Sequence, residues 1–248
     1  METPLITLAH VTKVFFDRPS EGLTALEDIN LKVFAGEFFI LLGPSGSGKS
    51  TLLRIMSGLE KEYHGDILMA KDIQDHRSFS FVFQQFALLP WLTVSQNIEL
   101  GLLARRMPQK ERAKIVQKEL TQFRLEHFAG VLPHELSGGM RQRVGIARAL
   151  ATSPRVLFMD EPFSELDSFI AEELRHALLD IWQERNLTII MVTHIAQEAL
   201  QLASRIAILT SQPGKIEKII ENKLPRPRDK RAPEFFELED IIYKVIKP

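Results

Sequence analysis

Two stretches of the chain carry residue types that do chemistry together. The first is Gly43-Pro44-Ser45-Gly46-Ser47-Gly48-Lys49-Ser50-Thr51, which fits the spacing G-x-x-x-x-G-K-[ST]. Glycines at 43, 46 and 48 let the backbone curl so that successive N–H groups face inward as an anion nest. A helix starting there adds its partial positive charge. Lys49 can then reach the outer groups of a polyphosphate, and the Ser50 hydroxyl can ligate a divalent cation. The second stretch is Arg155-Val156-Leu157-Phe158-Met159-Asp160-Glu161, an apolar run that delivers two adjacent acids. Neighbouring residues at a strand end can aim differently, so Asp160 can hold Mg²⁺ while Glu161 orients or deprotonates a water. Taken singly, one is a glycine-rich turn before a helix and the other a solvated turn. Together they predict nucleotide binding and phosphate-bond hydrolysis.

Four further features keep two readings each. His194 ends an apolar run, and is either a satisfied polar residue or a donor to a terminal phosphate. Leu136-Ser137-Gly138-Gly139-Met140-Arg141-Gln142 puts a second serine–glycine element at a helix start. Ser137 is there an ordinary N-cap, or Ser137, Gly138 and Gly139 form another anion site. One chain needs a single phosphate loop, so the second makes sense for a nucleotide held by another subunit. Phe15 and Phe16 are one core and one surface aromatic, or a platform for a base. The apolar stretch Ala87 to Val94, with Pro90 and Trp91, is an irregular loop that is either local core or a contact surface.

These groups need elements to position them. Phe38–Leu42 reads as a buried strand before the glycine loop, with a helix from Thr51 that ends by Gly58. Leu5–Val11 and Leu26–Val33 read as strands of an antiparallel edge layer, with a polar loop over Asp17–Gly22. Gly65–Met69 and Ser78–Phe83 are short strands, the latter leading to Gln84. Pro108–Leu125 is a surface helix with Ile115, Val116, Leu120 and Phe123 as its apolar stripe. A loop over Leu132–Gly139 and a helix over Met140–Leu150 follow. Ser168–Arg185 is a long helix, and Thr188–Val192 and Arg205–Leu209 are strands with a helix between them. Gln212-Pro213-Gly214 is a turn. Lys215–Ile220 is an edge strand, Leu224–Arg231 an extended surface tail, and Phe235–Ile246 a weak helix. The sequence shows no internal repeat.

The bulk properties set limits. A chain of 248 residues with ordinary hydrophobic content builds a sizeable core. Its net charge of −1 gives no electrostatic case for nucleic acid. It has no cysteine, which excludes disulfides and thiol chemistry. Met1–Leu8 lacks the basic start and apolar core of a signal peptide, and no apolar run reaches the ~18 residues that span a membrane.

With its motifs in this order, the chain resembles the ATPase subunit of an ATP-binding cassette transporter over nearly all its length. The Leu136–Gln142 signature is the most specific feature. The resemblance implies an α/β fold: a P-loop NTPase core (1–86 and 153–221) with an antiparallel β edge layer, an inserted α-helical subdomain (87–152) and a tail (222–248), all as one domain. It implies ATP and Mg²⁺ as ligands. Phe15 matches the aromatic that stacks on adenine, and Lys49, Ser50 and Thr51 complete the phosphate loop. Gln84 matches the glutamine that touches Mg²⁺ and senses the transmembrane partner. Ser137 and Gly139 match the residues that bind the γ-phosphate of the opposite subunit's ATP. Asp160 and Glu161 match the Mg²⁺ ligand and the general base. Asp167 matches the aspartate that signals across the dimer, and His194 the switch histidine.

The implied assembly is a homodimer or paired cassette on transmembrane permease subunits, with a solute-binding protein acting indirectly. It sits at the cytoplasmic face of the inner membrane and binds no nucleic acid. The chain is similar, more closely, to the nitrate, sulfonate and taurine importer group. That similarity rests on Leu88-Leu89-Pro90-Trp91-Leu92-Thr93, Met140-Arg141-Gln142-Arg143 and Leu224-Pro225-Arg226-Pro227-Arg228-Asp229. It departs from the group at Ser164 and Glu165, where glycine and alanine are usual. The alternative within the family is a cassette that drives extraction or mechanical signalling at a membrane.

Overall fold

Two long antiparallel strands, β1 (Ile6–Arg18) and β2 (Glu21–Val33), open the computed structural model, which describes residues 3–18 and 21–246. Next come β3 (Phe38–Leu42), helix α1 (Lys49–Met56) and β4 (His64–Met69). β1 lies between β2 and β4, antiparallel to both, which forms the expected edge layer. The strands run further than their sequence pattern suggests. Of the expected loop over Asp17–Gly22, Asp17, Arg18, Glu21 and Gly22 belong to strands, and positions 19 and 20 lie outside the described residues. Register shifts at Leu8/Val11 and Val11/Lys13 break the two-residue alternation, while pairing continues beyond them.

The central part of the chain contains β5 (Phe79–Val82), α2 (Val94–Ala104), α3 (Gln109–Gln122), α4 (Gly138–Ala151), β6 (Val156–Asp160) and α5 (Ser168–Arg185). β5 and β6 are parallel, from Phe79↔Val156 to Val82↔Met159. The Phe79 and Phe81 rings pack on Phe158, at 5.6 and 6.3 Å between centroids. α2 begins where the sequence suggests only the end of a loop. The Thr93 hydroxyl accepts from Gln96 N–H, and the Gln96 side chain accepts from Thr93 N–H at 2.9 Å, a full capping box. Gly101 lets α2 pack tightly, since a Cβ there would lie 2.5 Å from the Thr152 methyl. Pro108 precedes the first turn of α3, and of the expected stripe Val116, Leu120 and Phe123 are buried while Ile115 is half-buried. Glu173 of α5 ties this group together, bonding Arg143 of α4 at 2.7 Å and Arg124 at 3.1 Å.

The chain ends with β7 (Thr188–Thr193), α6 (Ala196–Leu202), β8 (Arg205–Leu209), β9 (Ile216–Glu221) and α7 (Pro233–Ile246). β7, β3, β8 and β9 lie in that order, the first three parallel and β9 antiparallel to β8. Every residue of β3 and β7 is buried, which explains why parallel strands read as unbroken apolar runs.

The Leu224–Arg231 segment is not a free surface tail. Arg228 Nη1 donates to the carbonyls of Leu200 (2.7 Å) and Gln201 (3.2 Å), and Arg226 to those of Gln201 and Leu202. Those carbonyls end α6 and lack partners within the helix. Burial pushes the Arg226 guanidinium down to about 10. Burial, and then the Arg226 charge, push that of Arg228 down to about 9.

Contacts divide the chain into two units, Met1–Gln74 with Trp182–Pro248, and Asp75–Ile181. The second unit thus holds β5, β6 and most of α5 together with the helices expected over 87–152.

Candidate functional site

In the first unit, the glycine loop leaves the end of β3, and packing explains its glycines. A Cβ at Gly43 would lie 2.6 Å from Leu209 O. Gly48 has φ 79°, and a Cβ there would meet Leu26 Cδ2 at 2.6 Å and Ala25 O at 2.8 Å. Gly46 shares that left-handed φ but faces open space. Pro44 is half-buried, Ser45 exposed and Ser47 buried, while Ser50 and Thr51 are half-buried at the start of α1. Lys49 is buried, and its Nζ donates to Pro44 O at 2.7 Å and Ser47 Oγ at 3.3 Å. Its charge is thereby held inside the curl of the loop. A group missed in the sequence backs the loop. Gly214 donates to Ala25 O at 3.1 Å, and a Cβ on it would lie 2.3 Å from Ser47 O. Its signal was the Pro213-Gly214 turn, read only as a turn.

β3 and β7 are paired in parallel as far as Leu42↔Thr193. Gly43 and His194 therefore leave neighbouring strand ends on one edge, where ligands collect in open α/β sheets. His194 is exposed. Phe15 stands opposite Leu23 on β2, is 42% exposed, and has the Lys13 ammonium 4.6 Å from its ring centroid. Phe16 is more exposed, at 70%. Both aromatics thus present surface that a flat ring could cover.

In the second unit, the pairing of Val82 with Met159 repeats the arrangement. Gln84, two residues past β5, and the Asp160-Glu161 pair at the end of β6 leave one edge. Asp160 is buried, Glu161 half-buried and Gln84 exposed. Glu161 has φ 43°, a left-handed conformation that a non-glycine residue holds under local constraint. Part of that constraint comes from Ser164, whose N–H and hydroxyl donate to Glu161 O at 3.3 and 3.0 Å. One of the two departures from the importer pattern thus braces the backbone of the candidate base.

The signature turn and the loop after β6 meet. Ser137 caps α4, its Oγ accepting from Met140 N–H at 3.3 Å. A Cβ at Gly139 would lie 2.6 Å from Ile170 Cγ2, and one at Gly138 would lie 4.0 Å from Glu165 O. Asp167 Oδ1 accepts from the N–H groups of Phe169 (3.1 Å) and Ile170 (3.0 Å), capping α5.

The apolar stretch before α2 is a rigid, outward-facing loop. The fully buried Asn97 amide donates to the carbonyls of Leu89, Leu92 and Thr93, and its oxygen accepts from Leu89 N–H. Trp91 is 71% exposed above that frame, which excludes it as core. Asn97 was also missed, because nothing local marks a buried asparagine.

The chain is similar to known proteins in sequence and in fold. A family model described as ABC transporter matches residues 26–164. The aliphatic sulfonates import ATP-binding protein SsuB of Bacillus licheniformis is 43% identical over 239 residues, 96% of this chain and 91% of that protein. The nitrate import ATP-binding protein NrtC of Synechocystis is 45% identical over 230 residues, 91% of this chain but 34% of that longer protein. Among solved structures, a dimeric post-hydrolysis ATP-binding cassette bound to ADP and Pi aligns with a TM-score of 0.77. It is 36% identical, over 88% of this chain and 99% of that one. Glycine loop, paired acids and signature turn thus stand within a matching sequence and fold: the chain belongs to the ABC transporter family, as one of its ATP-hydrolysing cassettes.

Proposed function

We propose that the chain powers import of a small oxyanionic solute of the nitrate, sulfonate or taurine type. In this reading it acts as one of two cassettes docked on separate membrane subunits at the cytoplasmic face of the inner membrane. The observation that carries the site assignment is the pair of matched strand ends, Gly43 beside His194 and Gln84 beside Asp160-Glu161. The names of the sulfonate and nitrate relatives support the solute class. Among the described residues no helix is long and apolar enough to cross a membrane.

Each group has a role in that function. The loop N–H groups and Lys49 hold the phosphates, and Phe15 covers the adenine. Glu161 accepts a proton from the attacking water, and His194 donates to the γ-phosphate. Ser137, Gly138 and Gly139 serve the ATP of the opposite cassette, and Asp167 lies on the path between the two sites.

The donor types also fit Mg²⁺. Among the described residues no cluster of three or more His, Cys, Asp or Glu could hold a metal alone. Mg²⁺ in nucleotide sites takes one or two carboxylates together with waters and substrate phosphates. Oxygens suited to it are the Ser50 hydroxyl in the first unit, and the Asp160 carboxylate and the Gln84 amide in the second. When bound, the cation neutralises developing charge on the phosphates.

The test is Glu161→Gln. ATP affinity should hold within about twofold while turnover falls at least a hundredfold, because an amide cannot accept the water's proton. Light scattering should then show an ATP-dependent dimer. Near-normal phosphate release by the variant would remove Glu161 from the role of base.

A further inference from the structure

Three positions on one face of α4 meet Phe86 and Ala87, in the loop after Gln84. Arg141, Gly145 and Arg148 are spaced by four and three residues, one stripe of a helix. Arg148 Nη1 donates to Ala87 O at 2.6 Å and Nη2 to Phe86 O at 3.1 Å. Gly145 lies under that carbonyl, since a Cβ there would stand 3.5 Å from Phe86 O, an ordinary contact distance. The Arg141 guanidinium lies 5.3 Å from the Phe86 ring centroid, and its Nη1 donates to Leu136 O at 2.7 Å. Arg141 thus joins the first residue of the signature to Phe86. Ala87 has φ 47°, a conformation an alanine keeps only where its surroundings hold it. Phe86 lies two residues after Gln84, and Ala87 four before the exposed Trp91.

We propose that Arg148, with Arg141, is a positioning residue. It locks the Phe86 and Ala87 carbonyls to α4, so that the segment from Gln84 to Trp91 moves with the Ser137–Gly139 turn. The use of this clamp in transport rests on the function proposed above, but the clamp itself does not. Arg148 suits the task because a planar guanidinium bonds two adjacent carbonyls at once, which a lysine ammonium on a flexible stem does not reproduce.

The full chain allows a direct test, because it contains no cysteine. A nitroxide on Trp91→Cys is then its single label. Without nucleotide, adding Arg148→Lys should shorten the rotational correlation time of the label about twofold, as a loop freed from its anchor would. With Glu161→Gln also present, ATP should change the label's spectrum when Arg148 is intact. Arg148→Lys should reduce that change to less than about half, while the dissociation constant for ATP stays within about twofold. A merely structural loss would lower ATP affinity and melting temperature together instead. Should Arg148→Lys fail to fold, Phe86→Leu leaves α4 whole and removes the stacked ring, and it should shift the label in the same direction by less. Label spectra unchanged by both substitutions, with and without ATP, would overturn the clamp. If ATP leaves the spectrum unchanged even with Arg148 intact, the transport coupling falls, and the nucleotide-free comparison still decides the clamp.

Discussion

Replacing Asn97 by alanine should loosen the loop that carries Trp91, by an amount the structure allows to be worked out. The side chain is fully buried. Its Oδ1 accepts from Leu89 N–H at 2.8 Å, and its Nδ2 donates to Leu89 O (3.1 Å), Leu92 O (2.9 Å) and Thr93 O (3.0 Å). Thr93 O retains Asn97 N–H as a partner at 2.9 Å and Leu89 O retains Leu92 N–H at 3.1 Å, so two of these groups lose little. The other two, Leu89 N–H and Leu92 O, lose this bond, each worth about 1 kcal/mol net, for a total of about 2 kcal/mol. In a chain of this size each kcal/mol moves the melting temperature by about 2–4 °C, giving a fall of about 4–8 °C. Asn97→Asp provides the control, since a carboxylate still accepts from Leu89 N–H but sets a second oxygen against three carbonyls. It should cost at least as much as alanine. Urea unfolding followed by the two tryptophans would measure both. A loss under about 0.5 kcal/mol for Asn97→Ala would show that the loop is held by something other than Asn97.

Three more outcomes are expected. Gly214→Ala should weaken ATP binding about tenfold or more, because its Cβ must push against Ser47 O and so move the glycine loop; titration with a fluorescent ATP analogue measures this. Trp91→Ala should cost ~2 kcal/mol or more of docking on the membrane subunit while leaving melting and basal ATPase near normal; full co-purification of the variant would end the docking role. In linked dimers, Lys49→Ala and Ser137→Arg placed on different chains should fall in one composite site and leave the other whole; ATP trapping at the intact site, absent when both lesions share a chain, is the readout.

Much of this was legible because it is local. The glycine loop, the paired acids and the signature turn are contiguous motifs, and α5 and β8 have the bounds their apolar patterns predict. What escaped the sequence is set by distant partners. Arg226 and Arg228 look like a solvated tail until the open carbonyls of α6 are placed beside them. The lengths of β1 and β2 were hidden by bulges, since alternation fails where a strand shifts register. The start of α2 was the avoidable miss, because Thr93 and Gln96 form a capping box visible in the sequence. Gly214 and Asn97 act on backbone atoms far along the chain or buried in a loop, and residue type alone does not announce that.

At Ser137 the plain and the chemical readings are compatible, for a physical reason, and the cap that Asp167 makes leaves its implied role open in the same way. A hydroxyl can accept one hydrogen bond and donate another. Ser137 Oγ spends its acceptor side on Met140 N–H, which leaves its O–H as a donor at the open end of α4. The cap fixes where that donor points. Asp167 Oδ1 takes two N–H groups of the first turn of α5, and its other oxygen remains an acceptor on an exposed loop. Gly139 presses against Ile170 in that same turn, so the two caps are held in register by packing. A helix cap is then not the rival of an anion site. It is the local structure that aims the side chain and takes up Met140 N–H, leaving those of Gly138 and Gly139 for the phosphate that the proposed second subunit would bring.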